Sequence, residues 1–283
     1  MSCLLINRNN IILLTDILQE MPYVKPLVVT YRLNTLHYAI LVLFSTLYIV
    51  VQSCFTIYWE KKLTFRAWLP YNYSTTILFH FTYFHQLIGL IAGALLHVAC
   101  DSVICGLLLH VCCQLEILKS RLKRITFNPE ILRDCIVQHN VIIKFAVMVN
   151  KKFRLTITLQ FVVSTLVVCV TLYQLTKANA KIIQSGLYMS CMLTQIFLYC
   201  WYGNEVRLKS VGLITDLFEI EWLKLGSERQ KDFLTITKCG GIPIEFTSGY
   251  IIPMNLNSFV ALLKTSYSTY NILQQMRDTS IED

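Results

Sequence analysis

Five stretches of this chain run for 18 residues or more without a single Asp, Glu, Lys or Arg. They lie between Arg32 and Glu60 (27 residues), Arg66 and Asp101 (34), Arg154 and Lys177 (22), Lys181 and Glu205 (23), and Glu245 and Lys264 (18). The hydrocarbon core of a bilayer takes ~20 apolar residues in a helix. One such run would fit a buried core helix, but five in 283 residues fit an all-α polytopic membrane protein. Composition agrees: charged residues make up 15%, against about 25% in soluble domains. The runs predict five transmembrane helices at 34–58, 76–100, 155–176, 183–203 and 254–274.

An odd number of spans puts the termini on opposite sides. With the N-terminus inside and the C-terminus outside, the inner segments 1–33, 101–154 and 204–253 hold 18 Lys and Arg, and the outer segments hold 6. Positive charge favours the cytoplasmic side, which also accounts for the net charge of +8 without a nucleic-acid partner. The outer loop 59–75 contains Asn72-Tyr73-Ser74, an N-glycosylation sequon at Asn72. Trp59, Trp68, Tyr58, Tyr71 and Tyr73 flank that loop as interfacial anchors do. The first twenty residues, broken by Arg8, Asp16 and Glu20, do not read as a signal peptide.

The inner segments carry helical periodicity of their own. Val111, Leu115, Leu118, Leu122 and Ile125 form one stripe beyond the second span; Ile214, Leu217, Phe218 and Trp222 form another. Both predict cytoplasmic helices packing on each other or on neighbouring subunits, with the alternative of helices lying on the inner leaflet.

No enzyme signature, disulfide framework, metal site or cofactor site is legible. The eleven Cys are scattered through apolar runs, the six His are isolated, and no GxGxxG, P-loop, HExxH or GxSxG occurs. An ionisable group inside a span is a functional candidate because its desolvation is costly. Asp101 falls where the second span leaves the inner leaflet and reads as a wetted interface residue, whereas Lys264 lies inside the last helix.

That last helix gathers Asn257, Ala261, Lys264, Ser268, Asn271 and Gln275 on one face. Lipid cannot satisfy a polar face, so it must meet protein or water. A tight polar helix interface and the wall of an aqueous pore both fit. Pro253, with the GGIP and SGY elements before it, predicts a break ahead of this helix.

The segments YCWYGNEVRLKS, EIEW (219–222), GYIIPMNLNSF and LKTSYSTYNILQQM resemble, in order, the C-terminal signature of insect odorant receptors. FRAWLPYNYS (65–74) and CIVQHNVIIKFAVMVNKKF (135–153) resemble the same family's second outer loop and long second inner loop. The family has seven helices, and the resemblance aligns this chain with helices three to seven, so that it is expected to lack the first two. The signatures of G-protein-coupled receptors, DRY and NPxxY, do not occur.

The resemblance implies a plasma-membrane odorant receptor subunit. It would act with a shared co-receptor, as a tetramer, as an odorant-gated non-selective cation channel that needs no G protein. Segment 204–253 becomes a cytoplasmic anchor and 254–283 the pore-lining helix with a short outer tail, the pore wall drawing on Asn257, Val260, Ala261, Lys264, Ser268 and Asn271. The odorant pocket, in the outer half of the bundle 34–203, would draw on Tyr48, Gln52, Phe55, Phe79, His80, Tyr83, Phe84, Tyr188 and Met192. Small volatile ligands suit such apolar, aromatic walls. Trp201, Tyr202, Glu205 and Trp222 fall at the junction between spanning and anchor helices, as assembly or gating residues, with Glu205 pairing a neighbouring base. Readings from other classes are a secondary transporter, a gustatory-type receptor and a non-functional truncated fragment.

Overall fold

The computed structural model describes residues 25–54, 63, 76–123, 131–175, 182–219, 227–249 and 252–282. Its elements are α1 (Lys25–Gln52), α2 (Thr76–Leu122), α3 (Ile131–Leu175), α4 (Ile182–Phe218), α5 (Ser227–Gly240), β1 (Thr247–Ser248), β2 (Ile252–Pro253) and α6 (Leu256–Glu282).

At ~1.5 Å per residue, the 47 residues of α2 reach about 70 Å, more than twice the ~30 Å hydrocarbon thickness. The 45-residue α3 and 37-residue α4 overshoot as well. Most of the 101–154 segment, expected as a long inner helical loop, consists of the far end of α2 and the near end of α3. Likewise α4 continues through 203 to Phe218 without a break. The cause is that charge ends a lipid-compatible run but does not end a helix: Lys, Arg and Glu are good helix formers. The expected extension of the second span is present, with Val111, Leu115, Leu118 and Leu122 all buried.

Three helices, Pro26–Gln52, Thr76–Leu122 and Ile131–Gln174, are long and apolar enough to cross a membrane. The other two expected spans lie on α4, which carries Gln184 and Gln195, and α6, which carries Asn257 and Lys264.

Helix α2 forms the axis, packing on α1, α3 and α4; α3 also packs on α4, α5 and α6. The main core sits toward the C-terminal end of α2, where residues from Leu107 to Leu115 are buried on all sides. Toward the N-terminal end of α2, Ile77, Phe81, Ile88, Ile91 and Leu95 are exposed instead. An apolar surface of that extent needs lipid or protein cover rather than water.

The break before the last helix is a two-stranded hairpin pairing Thr247 with Pro253 and Ser248 with Ile252. Gly249 takes a positive φ of 61° in its turn, a region open mainly to glycine. The Thr247 N–H donates to Asn150 of α3 (3.2 Å), and the Ile244 N–H donates to Ser210 of α4 (3.1 Å). The chain is thus tied to two helices before α6 starts. Asn255 caps α6, its side-chain oxygen accepting the Ser258 N–H at 2.9 Å.

Candidate functional site

Near the start of α2, Phe79, Tyr83 and Leu87 form a small buried cluster with Val50 and Leu63, separate from the main core. Phe79 stacks on Tyr83 at 6.0 Å, and Phe84 meets Tyr83 edge-on at 5.7 Å. The Tyr83 hydroxyl pairs with that of buried Ser53 at 3.0 Å, joining α2 to the end of α1. His80 is turned back onto its own helix, Nδ1 lying 2.6 Å from the Thr76 carbonyl oxygen. Tyr48 and Gln52 are half-buried on α1, while Phe84 and Tyr188 are exposed. Met192 lies where α4 meets α3, its sulfur accepting from Ser164 at 3.9 Å. The α2 aromatics and the end of α1 therefore come together in one patch. Phe55, Asn72 and Trp222 lie outside the described residues.

Further along α2 toward its C-terminal end lies a polar hub. Asp101 is only 5% exposed, so its expected place at a wetted interface is corrected: α1 and α4 close over it. Its Oδ2 accepts from the Tyr38 hydroxyl of α1 at 2.7 Å. Its Oδ1 accepts from Gln195 Nε2 (2.8 Å) and the Tyr199 hydroxyl (2.5 Å), both of α4. His97 Nε2, one turn earlier on α2, stands 3.6 Å from Oδ2. The Gln195 carbonyl oxygen in turn accepts from Gln160 of α3. Three helices are joined through one carboxylate, and Gln195 ties in the fourth. A cavity of about 10 Å³, lined by Thr35, Tyr38, Asp101, Ser102, Gln195 and Tyr202 among others, adjoins it; that is room for one water molecule.

Just inside the hub, Tyr202 is buried, accepts from Asn34 Nδ2 at 3.1 Å and meets Tyr31 edge-on. Trp201 is partly exposed beside Phe197. Glu205 lines an open cleft of about 200 Å³ together with Glu116, Lys119 and Lys209. There the Lys209 ammonium goes to Glu116 at 2.5 Å, and Lys119 reaches Asp216 at 2.9 Å. Arg207 pairs with Glu245 at 2.7 Å.

Helix α6 packs through Leu262 and Ser266, both buried, with Phe259 meeting Phe197 of α4. Asn257, Val260, Ala261, Lys264 and Ser268 are all exposed on its other side, and Asn271 is half-buried. Among the described residues no group of three His, Cys, Asp or Glu is placed to hold a metal ion.

Sequence reasoning assigned no role to Tyr38, Gln195, Tyr199 or Gly203. The available signal was polarity: Gln195 is a full hydrogen-bonding amide inside a 23-residue charge-free run, and such a group needs a partner.

Residues 15–267 match the family model described as 7tm Odorant receptor. Odorant receptor 10 of Aedes albopictus is 24% identical over 80% of this chain and 65% of its own length. Odorant receptor Or1 of Anopheles gambiae is 24% identical over 77% of this chain and 61% of its own. The chain thus spans a little under two thirds of the curated relatives it matches first. Among solved structures, the olfactory receptor OR5 of Machilis hrabei superposes with a TM-score of 0.83 at 17% identity, over 97% of this chain and 76% of that one. The same receptor solved in complex with eugenol superposes with a TM-score of 0.80, over 89% of this chain. At that identity the likeness is one of fold.

Proposed function

The chain belongs to the 7tm odorant receptor family, a receptor family rather than an enzyme family, and from that premise we propose that it serves as a subunit of an odorant-gated, non-selective cation channel in the plasma membrane. Its partner in this reading is a shared co-receptor subunit in a tetramer, and its ligand a small volatile organic molecule.

The observation that carries the channel reading is the disposition of α6. Its apolar side packs on α3 and α4, which leaves Asn257, Lys264 and Ser268 exposed on a helix that must otherwise face lipid. A water-filled pore shared with neighbouring subunits satisfies that face. Five spans with the N-terminus inside, at 34–58, 76–100, 155–176, 183–203 and 254–274, are the topology that goes with it. Segment 204–253, with the inner ends of α2 and α3, forms the anchor in the cytoplasm.

Odorant binding is assigned to the outer patch around Phe79, His80, Tyr83 and Phe84, with Tyr48, Gln52 and Phe55 from α1 and Tyr188 and Met192 from α4. Aromatic walls hold a volatile by burial, and the Ser53–Tyr83 hydroxyl pair can orient one polar group. The binding of eugenol by the structurally similar OR5 supports a ligand of this size and character. Trp201, Tyr202, Glu205 and Trp222 are assigned to the junction that passes motion to the anchor, and Asn72 to glycosylation on the outer side.

Co-expression with the co-receptor and recording of odorant-evoked current tests this. The expected result is a cation current whose half-maximal odorant concentration rises on Phe79→Ala or Tyr83→Ala, and whose ion selectivity changes on substitution at Val260. Normal surface delivery without current would overturn the reading.

A further inference from the structure

We propose that Asp101 is a gating latch specified for a carboxylate anion, holding α1 and α4 to α2 in one of the channel's two states; this rests on the channel reading above.

The argument starts from hydrogen-bond inventory. Three groups converge on two oxygens: the hydroxyls of Tyr38 and Tyr199 and the amide nitrogen of Gln195. The Gln195 amide cannot simply turn over, because its oxygen already accepts from Gln160. As arranged, the hub aims three donors at one centre, and a carboxylate accepts all three at once where an amide, with one oxygen, does not. Asparagine at this position is nearly isosteric, yet its NH2 would force one tyrosine hydroxyl to accept instead of donate, and the charge-assisted bonds from all three donors would be lost. His97, with Nε2 at 3.6 Å from Oδ2, is the one side chain near the carboxylate, among the described residues, with a basic nitrogen. The other titratable groups around it, Cys100, Cys105, Tyr38 and Tyr199, bring no positive charge.

Placement ties the latch to gating. Helix α4 carries Met192 in the proposed odorant patch, Gln195 and Tyr199 in the hub, and Gly203 against the backbone of Met254, just ahead of α6. All lie within 12 residues of one continuous helix, about 17 Å of rise. A ligand that slides α4 past α1 must work against the hydrogen bonds to Asp101, and the same slide shifts the seat of α6. A second route runs from Gln195 through Gln160 to α3, on which α6 packs. Asp101 touches neither odorant nor pore and acts as a positioning residue for both.

The test is a carboxylate–amide exchange in the full chain with the co-receptor, reading surface delivery, odorant-free current, maximal current and half-maximal odorant concentration. Asp101→Asn is expected to change the odorant-free current or the half-maximal concentration by roughly tenfold, the effect of a charged hydrogen bond lost from one of two states. Gln195→Glu alone sets two carboxylates side by side and is expected to disturb the response as strongly. The double variant Asp101→Asn/Gln195→Glu moves the acceptor across the hub. The carboxylate, now carried by α4, accepts from Gln160 and from the new amide on α2, and the response returns to within about threefold of the parent. A merely space-filling role predicts additive damage in the double variant. Tyr199→Phe removes one donor and keeps the ring, so it carries the test if Asp101→Asn is retained inside the cell. Delivered variants that respond like a conducting parent would overturn the latch alone, and so would additive losses without rescue. A delivered parent that passes no odorant-evoked current would overturn the channel reading and the latch with it.

Discussion

Gly203 on α4 and the backbone of Met254 touch so closely that a Cβ on Gly203 would run into the Met254 carbonyl oxygen and Cβ. Met254 is itself fixed, its N–H donating to the Phe246 carbonyl at 2.8 Å across the hairpin. The contact sets the start of α6 against α4, about 17 Å along that helix from Met192 of the proposed pocket. Backbone cannot swing aside as a flexible side chain does. Gly203→Ala is expected to cost ~1–3 kcal/mol, the range for overpacking, and to lower the thermal midpoint of the solubilised chain. Gly212→Ala, where nothing lies within 4 Å of the added carbon, is the matched control and is expected to raise stability slightly.

Asp216 joins the C-terminal ends of α2 and α4 by ion pairs to Lys119 (2.9 Å) and Lys123 (3.7 Å). Both lysines are partly solvated, so the pairing contributes only ~0.5–1 kcal/mol. Asp216→Asn is expected to lower the thermal midpoint measurably in about 20 mM salt and by much less in about 1 M salt, where the Debye length is ~3 Å. The Asp216 carboxylate holds Lys119 above the usual lysine range. A raised pKa contributes stability that is present below the unfolded value and lost as pH rises through the folded one. The pair is thus expected to persist until the solution passes the ordinary lysine value of 10.5.

His110 and His139 lie on the inner extensions of α2 and α3, beyond the assigned spans, and both are buried. Burial pushes both imidazoles below the usual 6.5, His110 to about 4. The unfolded chain then binds protons that the folded chain refuses, so stability rises with pH across this window. The inner bundle is expected to hold its full stability above pH 6.5 and to lose it progressively as pH falls toward about 4. His110→Phe, beside Phe145, is expected to flatten that loss, read as the thermal midpoint from about pH 7 to about pH 4.5.

Lys264 stands on the exposed face of α6, among residues assigned to the pore. A unit charge ~8 Å from the ion path opposes a passing cation by about 0.5 kcal/mol in water. Lys264→Gln is expected to raise single-channel cation conductance about twofold at low ionic strength, the gain shrinking as salt is added. Equal conductance in parent and variant at low salt would remove Lys264 from the pore wall.

Helical class, the extension of the second span, the break at Pro253 and the family resemblance were legible in the residues. Each rests on local information: apolar run length, a 3.6-residue period, a proline, or a string of side chains in order. Where helices end was less legible. The stop expected at 203 became an unbroken helix to Phe218, because solvation changes at a membrane boundary while helix propensity does not.

By itself the sequence determined that this chain is built of apolar helices, since hydropathy and periodicity are properties of each segment alone, and the order of its side chains carried the resemblance to the odorant receptor family. It could not determine what surrounds Asp101. The donors that bury it come from 63, 94 and 98 residues away, and a carboxylate at the end of an apolar run reads the same whether wetted or enclosed. Nor could it decide which side of α6 stays open, because that depends on where α3 and α4 cover its apolar face. Tertiary structure settled both, for the cost of burying a polar group is fixed by partners that chain order does not reveal.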